Sequence, residues 1–304
     1  MKAALAALVA LACACGGRGK TAAGPVEPER PATVAEQILA LVPDGAQIVI
    51  ELDLARLRAN AVAGPVATQA LASIGADARL PGLPLAVQGS PLGTADVVVL
   101  AAYGVGTDAA TTITVLATKS DDIANGVRLT PELVALGPPE WTRQLEARTA
   151  IARQTPLVAA RDLLLLRDHA MPKEAPGAVL RVTARLPFDA RVALARQTGL
   201  ELAPARLSGW ADMVDDFALI VDADATDPGD RKNKDAVKRM HRSLETLLHA
   251  LAAEPAIRAL GVSTSLQDAR FVEQGAWVRA IVAIGPRHLA RAVERARAML
   301  PPAS

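Results

Sequence analysis

One order of elements (strand, helix, hairpin, helix, strand) is written twice along this chain, and that repetition constrains the fold more than any single motif. In the first half, Val34–Leu41 predicts a short helix stopped by Pro43-Asp44-Gly45, and residues 47–54 predict a strand rich in β-branched side chains. Helical pieces follow to Ile74, interrupted at Gly64-Pro65, and residues 79–94 read as a Pro- and Gly-rich loop. Residues 96–103 and 111–118 are apolar, β-branched runs joined by Gly104-Val105-Gly106-Thr107-Asp108, the pattern of a hairpin. Residues 133–153 predict partial helix, and residues 157–167 two short strands around Arg161-Asp162.

Met171-Pro172-Lys173-Glu174-Ala175-Pro176-Gly177 marks the internal boundary, and the order then starts again. Residues 178–186 set Val179, Arg181, Thr183 and Arg185 against Ala178, Leu180, Val182 and Ala184, a strand with one wet edge or face. A helix over 189–200 would turn Val192, Leu194 and Ala195 inward, and residues 207–213 and 217–224 form a hairpin through Asp215-Asp216. From 234 to 251, Ala236, Val237, Met240, Leu244, Leu247, Leu248 and Leu251 make one apolar stripe at helical spacing. Residues 274–284 supply a last strand, and Pro286 opens a helix with Leu289, Val293, Ala296 and Leu300 inward.

The expected fold class is therefore α+β: two similar units, residues 33–172 and 173–304, each of mostly antiparallel sheet with helices packed on one face. A duplication of ferredoxin-like units is one form this could take. Hydrophobic residues make up 51% of the chain but aromatics only 2%, so the core must be built from Leu, Val, Ile and Ala. The same shortage leaves no aromatic platform on which sugars or bases could stack. A net charge of +1 exerts no overall pull on nucleic acid, which is not expected as a partner.

The N-terminus carries an address. Met1-Lys2 is followed by an uncharged Ala, Leu and Val run to Leu11, then Ala12-Cys13-Ala14-Cys15-Gly16-Gly17. The apolar run is too short to span a bilayer, which takes about 20 residues. One positive charge, a short apolar segment and small residues at its end are the parts of a secretory signal. Here the small residues close on cysteine, and the segment resembles a bacterial lipoprotein signal peptide over residues 1–15. Cys15, preceded by Ala12-Cys13-Ala14, and Cys13, preceded by Ala10-Leu11-Ala12, are both candidates for acylation. Residues 16–32, with Gly16-Gly17-Arg18-Gly19-Lys20 and prolines at 25, 28 and 31, form a tether. The two cysteines are the only ones in the chain, so the mature body has no disulfide to form. Neither is followed by Asp, the residue that marks inner-membrane retention in enteric bacteria. That resemblance implies an outer-membrane site facing the periplasm.

Four patterns invite functional readings that their contexts oppose. Ala14-x4-Gly19-Lys20-Thr21 fits a permissive phosphate loop but lacks the preceding strand and following helix that aim backbone N–H groups at phosphate. Gly104-x-Gly106-x-x-Ala109 follows a strand, yet another strand comes next where dinucleotide binding needs a helix. Asp222, Asp224, Asp227 and Asp230 are candidate calcium ligands, but the loop has no Gly at its sixth position and Asn233 stands where a bidentate Glu is needed. His241, Glu245 and His249 stack at four-residue spacing and could coordinate zinc, but their stripe lies away from the apolar face with no enclosed fourth ligand, and a solvated polar face explains them better.

Arg287, Arg291 and Arg295 stack likewise on the last helix, as anionic-headgroup contacts or as plain surface charge. His169, beside the internal boundary, is expected in a surface loop. No Gly-x-Ser-x-Gly elbow exists, since Gly261-Val262-Ser263-Thr264-Ser265 lacks the second glycine.

The arrangement, with its strand ending Glu51-Leu52-Asp53-Leu54-Ala55-Arg56-Leu57-Arg58, resembles large lipoproteins of high-GC deltaproteobacteria such as myxobacteria. That resemblance implies no functional residue beyond the acylated cysteine. The expected protein is held to the membrane by its N-terminal lipid, uses no cofactor, and acts without catalysis by binding a protein partner or a hydrophobic ligand or as a structural envelope component. The competing expectation is a secreted, carboxylate-dependent hydrolase with its site in residues 212–230.

Overall fold

The computed structural model describes residues 32–73, 77–79, 86–88, 92–120, 123, 125–175, 177–225 and 234–300. The signal segment with Cys13 and Cys15, nearly all of the tether, and Asp227 and Asp230 lie outside them. In chain order the elements are α1 (Val34–Leu41), β1 (Ile48–Asp53), α2 (Leu54–Ala59), α3 (Gly64–Ser73), β2 (Asp77–Arg79), β3 (Ala86–Gln88), β4 (Val97–Tyr103), β5 (Thr111–Ala117), β6 (Val127–Thr130), β7 (Leu133–Leu136) and α4 (Pro139–Ala152). Then come α5 (Arg161–Arg167), β8 (Leu180–Arg185), α6 (Phe188–Thr198), β9 (Arg206–Met213), β10 (Phe217–Asp224), α7 (Lys234–Ala253), α8 (Pro255–Leu260), α9 (Ser263–Gln267), β11 (Arg270–Gln274), β12 (Trp277–Ile284) and α10 (Pro286–Met299).

Ten strands make one sheet in the order β11-β12-β10-β9-β8-β1-β4-β5-β7-β6, and every neighbouring pair is antiparallel. The fold is α+β, and the sheet topology repeats between the halves, although the order of elements read from the sequence does not hold in the first, where two hairpins run together and 157–167 supplies a helix instead of strands. Each half lays down a strand, a hairpin beside it, and a second hairpin whose first strand becomes the sheet edge. The halves meet where β1 pairs with β8, Glu51 lying opposite Arg181. The small β2–β3 ladder stands apart.

Alternation along the strands divides the side chains between two faces. On the front, Ile48, Ile50, Val98, Leu100 and Leu116 of the first half join Ala211, Phe217, Val278, Val282 and Ile284 of the second in one apolar core. Helices α2, α3, α7, α8, α9 and α10 cover it, and Met240 and Leu289 are fully buried there. Each such burial stabilises by roughly 1.5–3 kcal/mol. On the back of the first half, Val49, Val97, Val99, Ile113 and Val115 pack under α1 and α4, with Leu145 of α4 wholly enclosed.

Helix α1 begins with a capping box: the Thr33 hydroxyl accepts from Glu36 N–H and the Glu36 carboxylate accepts from Thr33 N–H. The second half thus holds its apolar helix faces on the front, while the first half is covered on both sides.

Several local expectations need correction. Residues 157–167 do not form two strands: a run of four leucines carries no period that separates strand from helix, and 161–167 folds as α5. Gly64-Pro65 opens α3 instead of interrupting it, since proline in a first turn forfeits no helical hydrogen bond. Strands β6, β7 and β11 go unread in the sequence because the outer members are short, charged edge strands. In α6 the buried residues are Ala190 and Arg191, not Val192, Leu194 and Ala195, because the Arg191 guanidinium is drawn in to donate to the carbonyls of Ala203 and Ala225.

Candidate ligand-binding site

The back of the second half receives no helix beyond α5 among the described residues; Trp210, Ala218 and Ile220 pack there against Ala170 and Met171, and beside them the strands present charge. Parity puts Arg181 and Arg185 of β8, Arg206 and Ser208 of β9, Asp222 and Asp224 of β10, and Trp277 and Arg279 of β12 on this face. Register then matches opposite charges. Asp222 lies opposite Arg279, and Asp224 opposite Arg206. Arg279 donates from Nε to Asp222 Oδ1 at 2.7 Å and from Nη2 to Oδ2 at 2.6 Å. Arg206 donates from Nε to Asp224 Oδ2 at 2.9 Å, with a second, closer contact from Nη2. The Asp222 partner holds the Arg279 guanidinium above the usual arginine range against the opposing effect of burial.

His169, in the turn after α5, is brought onto this face. Its Nδ1 lies 2.7 Å from Asp222 Oδ2, and since a carboxylate only accepts, Nδ1 carries the proton. Its ring stacks on Trp277 at 4.1 Å between centroids, and the Arg206 guanidinium lies 5.1 Å from the same indole. His169 does lie exposed in a turn, as expected, and there it is also bonded to a carboxylate 53 positions away and stacked on an indole.

Beside this array, at the seam between the halves, Arg167 of α5 meets Glu51 of β1 through three contacts of 2.7, 3.0 and 2.8 Å. It also touches Glu36 and Asp168, and Asp168 accepts from Arg181 at 2.8 Å. Burial alone would pull the Arg167 guanidinium down, yet the bonds and charge of Glu51, with Asp168 and Glu36, hold it above the ordinary arginine range. Arg181 is pulled down, by burial first and by the neighbouring Arg167 charge second.

Between α5 and the β11–β12 turn an open cleft of about 700 Å³ remains, lined by Leu165, Leu166, His169, Arg185, Arg206 and Trp277 among others. That volume falls within the range of small-molecule sites. Most of its lining is apolar, and Leu165 is 65% exposed.

The other candidate residues fall elsewhere. Asp222 and Asp224 are 1% and 0% exposed and committed to arginines, and no group of three or more His, Cys, Asp or Glu among the described residues is placed to hold a metal. Asp227 and Asp230 lie outside the described residues. His241 Nδ1 sits 3.1 Å from Glu273 and its ring on Phe271, while Glu245 and His249 face solvent. Arg287, Arg291 and Arg295 are exposed on α10, with the Arg295 guanidinium lying against Gly261. Gly104 and Gly106 have φ of +60° and +85° and turn the β4–β5 hairpin. Sequence reasoning placed Arg185 on the wet side of its strand without giving it a role, and missed Arg206, Arg279 and Trp277. The only local signal was charge inside otherwise apolar strands, because Ala218, Ile220 and Ile281 share a face with Asp222, Asp224 and Arg279, and so parity alone does not mark that face as polar.

No family model and no curated protein matches the sequence. Among solved structures, the chain is similar to TP0453. Crystal form I of that protein shares 7% identity at a TM-score of 0.41, over 85% of this chain and 96% of that one. Crystal form III shares 9% at 0.43, over 84% and 96%. At that level of likeness, function has to be read from the site itself.

Proposed function

We propose that this is a lipid-anchored, non-catalytic protein of the bacterial cell envelope that binds a hydrophobic ligand in the open cleft of its second half. The observation that carries the binding role is a sheet face that carries only α5 among the described residues, leaving beside that helix a largely apolar cleft with an exposed leucine at its wall. The N-terminal run ending at Cys13 and Cys15 supports the anchor, and the membrane it implies is the outer one, facing the periplasm. Among the described residues no helix is long and apolar enough to cross a membrane. A hydrolase built on Asp222 would need that carboxylate open to substrate, but it is buried with both oxygens occupied.

Two measurements test this. The full chain, expressed from its own start, should lose Met1, gain acyl mass on Cys15 or Cys13, and sediment with outer membranes, and the double substitution Cys13→Ser, Cys15→Ser should release it. Native mass spectrometry of the purified full chain should find a bound small molecule that Leu165→Arg, at an exposed position, excludes. Retained Met1 or an unacylated chain defeats the anchor. A chain that carries nothing and binds nothing defeats the cleft's role.

A further inference from the structure

We propose that the ligand is an aliphatic amphiphile with one compact anionic head, which Arg185 receives in exchange for Asp162; this rests on the cleft being the ligand site. Arg185 and Arg206 are direct cross-strand partners, so two like charges face one another at the cleft wall. Such a pair is unfavourable unless an anion lies close by. Arg206 has its anion built in, because Asp224 is 0% exposed and fixed by the strand register. Arg185 does not. The carboxylate it contacts is Asp162, 70% exposed in the first turn of α5, and the Arg185 Nη2 atom is buried without any hydrogen-bond partner.

An exposed ion pair of that kind is weak and readily exchanged. A ligand carboxylate entering the cleft can take the Nη1 group that Asp162 now holds and, once the guanidinium turns towards it, the orphaned Nη2 as well, whereas Asp162 can retire into water at little cost. The rest of the ligand meets Leu165 and Leu166. The Trp277 ring already carries His169 and the Arg206 guanidinium, so an alkyl chain fits this wall better than an aromatic group. Asp162 therefore acts as a stand-in for the head group, keeping Arg185 compensated while the cleft is empty.

The test is calorimetric titration of the full chain in a nonionic detergent with octanoate and, separately, octan-1-ol, with empty micelles as blank. Octanoate should bind once per chain and at least about tenfold more tightly than octan-1-ol. Arg185→Gln should bring octanoate down to the level of the alcohol and leave the alcohol unchanged. Asp162→Asn should tighten octanoate about one-and-a-half- to fivefold, a gain that a misfolded variant cannot produce. Equal binding of the two probes by the wild-type chain, or weaker octanoate binding in Asp162→Asn, overturns the head-group assignment while leaving a hydrophobic cleft in place. Binding of neither probe overturns it too, and the native mass measurement then decides the cleft separately.

Discussion

Replacing Arg167 by Met should damage this protein more than almost any other single change at a polar residue. The side chains of Arg167 and Glu51 are 4% and 5% exposed, and they join α5 to β1 at the line where the two halves of the sheet meet. In the intact seam, three carboxylates (Glu36, Glu51 and Asp168) face two guanidinium groups, Arg167 and Arg181. Arg167→Met removes all three of Glu51's contacts and leaves three negative charges against one positive. The remaining cation, Arg181, is cross-strand from Glu51 but already held by Asp168.

Stranding a buried charge in this way costs about 3–5 kcal/mol. In a chain of 304 residues, that lowers the thermal midpoint by roughly 5–8 °C. Replacing both partners, as Glu51→Leu with Arg167→Met, removes the stranded charge and should restore most of the loss. Urea and thermal unfolding followed by circular dichroism, arranged as a double-mutant cycle, measure the coupling directly. A cost below about 1 kcal/mol for Arg167→Met, or a double variant that loses the sum of the two single losses, would show that Glu51 is not stranded.

Two further outcomes follow from the same geometry. Burial raises the Asp53 carboxyl above its usual 3.8, an effect that the Arg56 backbone N–H and guanidinium only partly oppose. The folded state therefore holds the proton more tightly than the unfolded one. Stability from this group is fully present below pH 3.8 and is lost as pH rises through the raised folded value. Asp53→Asn keeps an oxygen to cap α2, and in unfolding titrations it should be more stable than wild type at neutral pH, with the gain vanishing in acid. Separately, Gly106→Ala places a Cβ 2.8 Å from the Ala190 backbone at φ +85°, and should cost at least about 1–2 kcal/mol and loosen the hairpin tip from α6. An unchanged urea midpoint would contradict this.

Much of the scaffold was legible because its signals are local. The β4–β5 and β9–β10 hairpins, α1, α7 and α10 follow from period and from Gly and Pro placement, and they occur where those predict. Leu247, 44% exposed within the α7 stripe, shows the limit of that rule, since a helical stripe can be wider than the surface it packs on. The edge strands β6 and β11 escaped because short charged edges look like loops. The cleft escaped for a different reason. Its residues come from α5, β8, β9 and the β11–β12 turn, and nothing in any one segment records that they will meet.

The sequence by itself determined the central strands and hairpins, the amphipathic helices that pack on them, and an aliphatic core. Those properties depend on neighbours three to four residues apart, or two apart in a strand. Only the tertiary structure decided that both halves share one sheet, that the helix after the second hairpin lies on the back in one half and on the front in the other, and that Arg185 and Arg206 face each other beside an open cleft. Those outcomes depend on strand register and helix placement, which are set by packing across more than a hundred residues, as between Glu51 and Arg167.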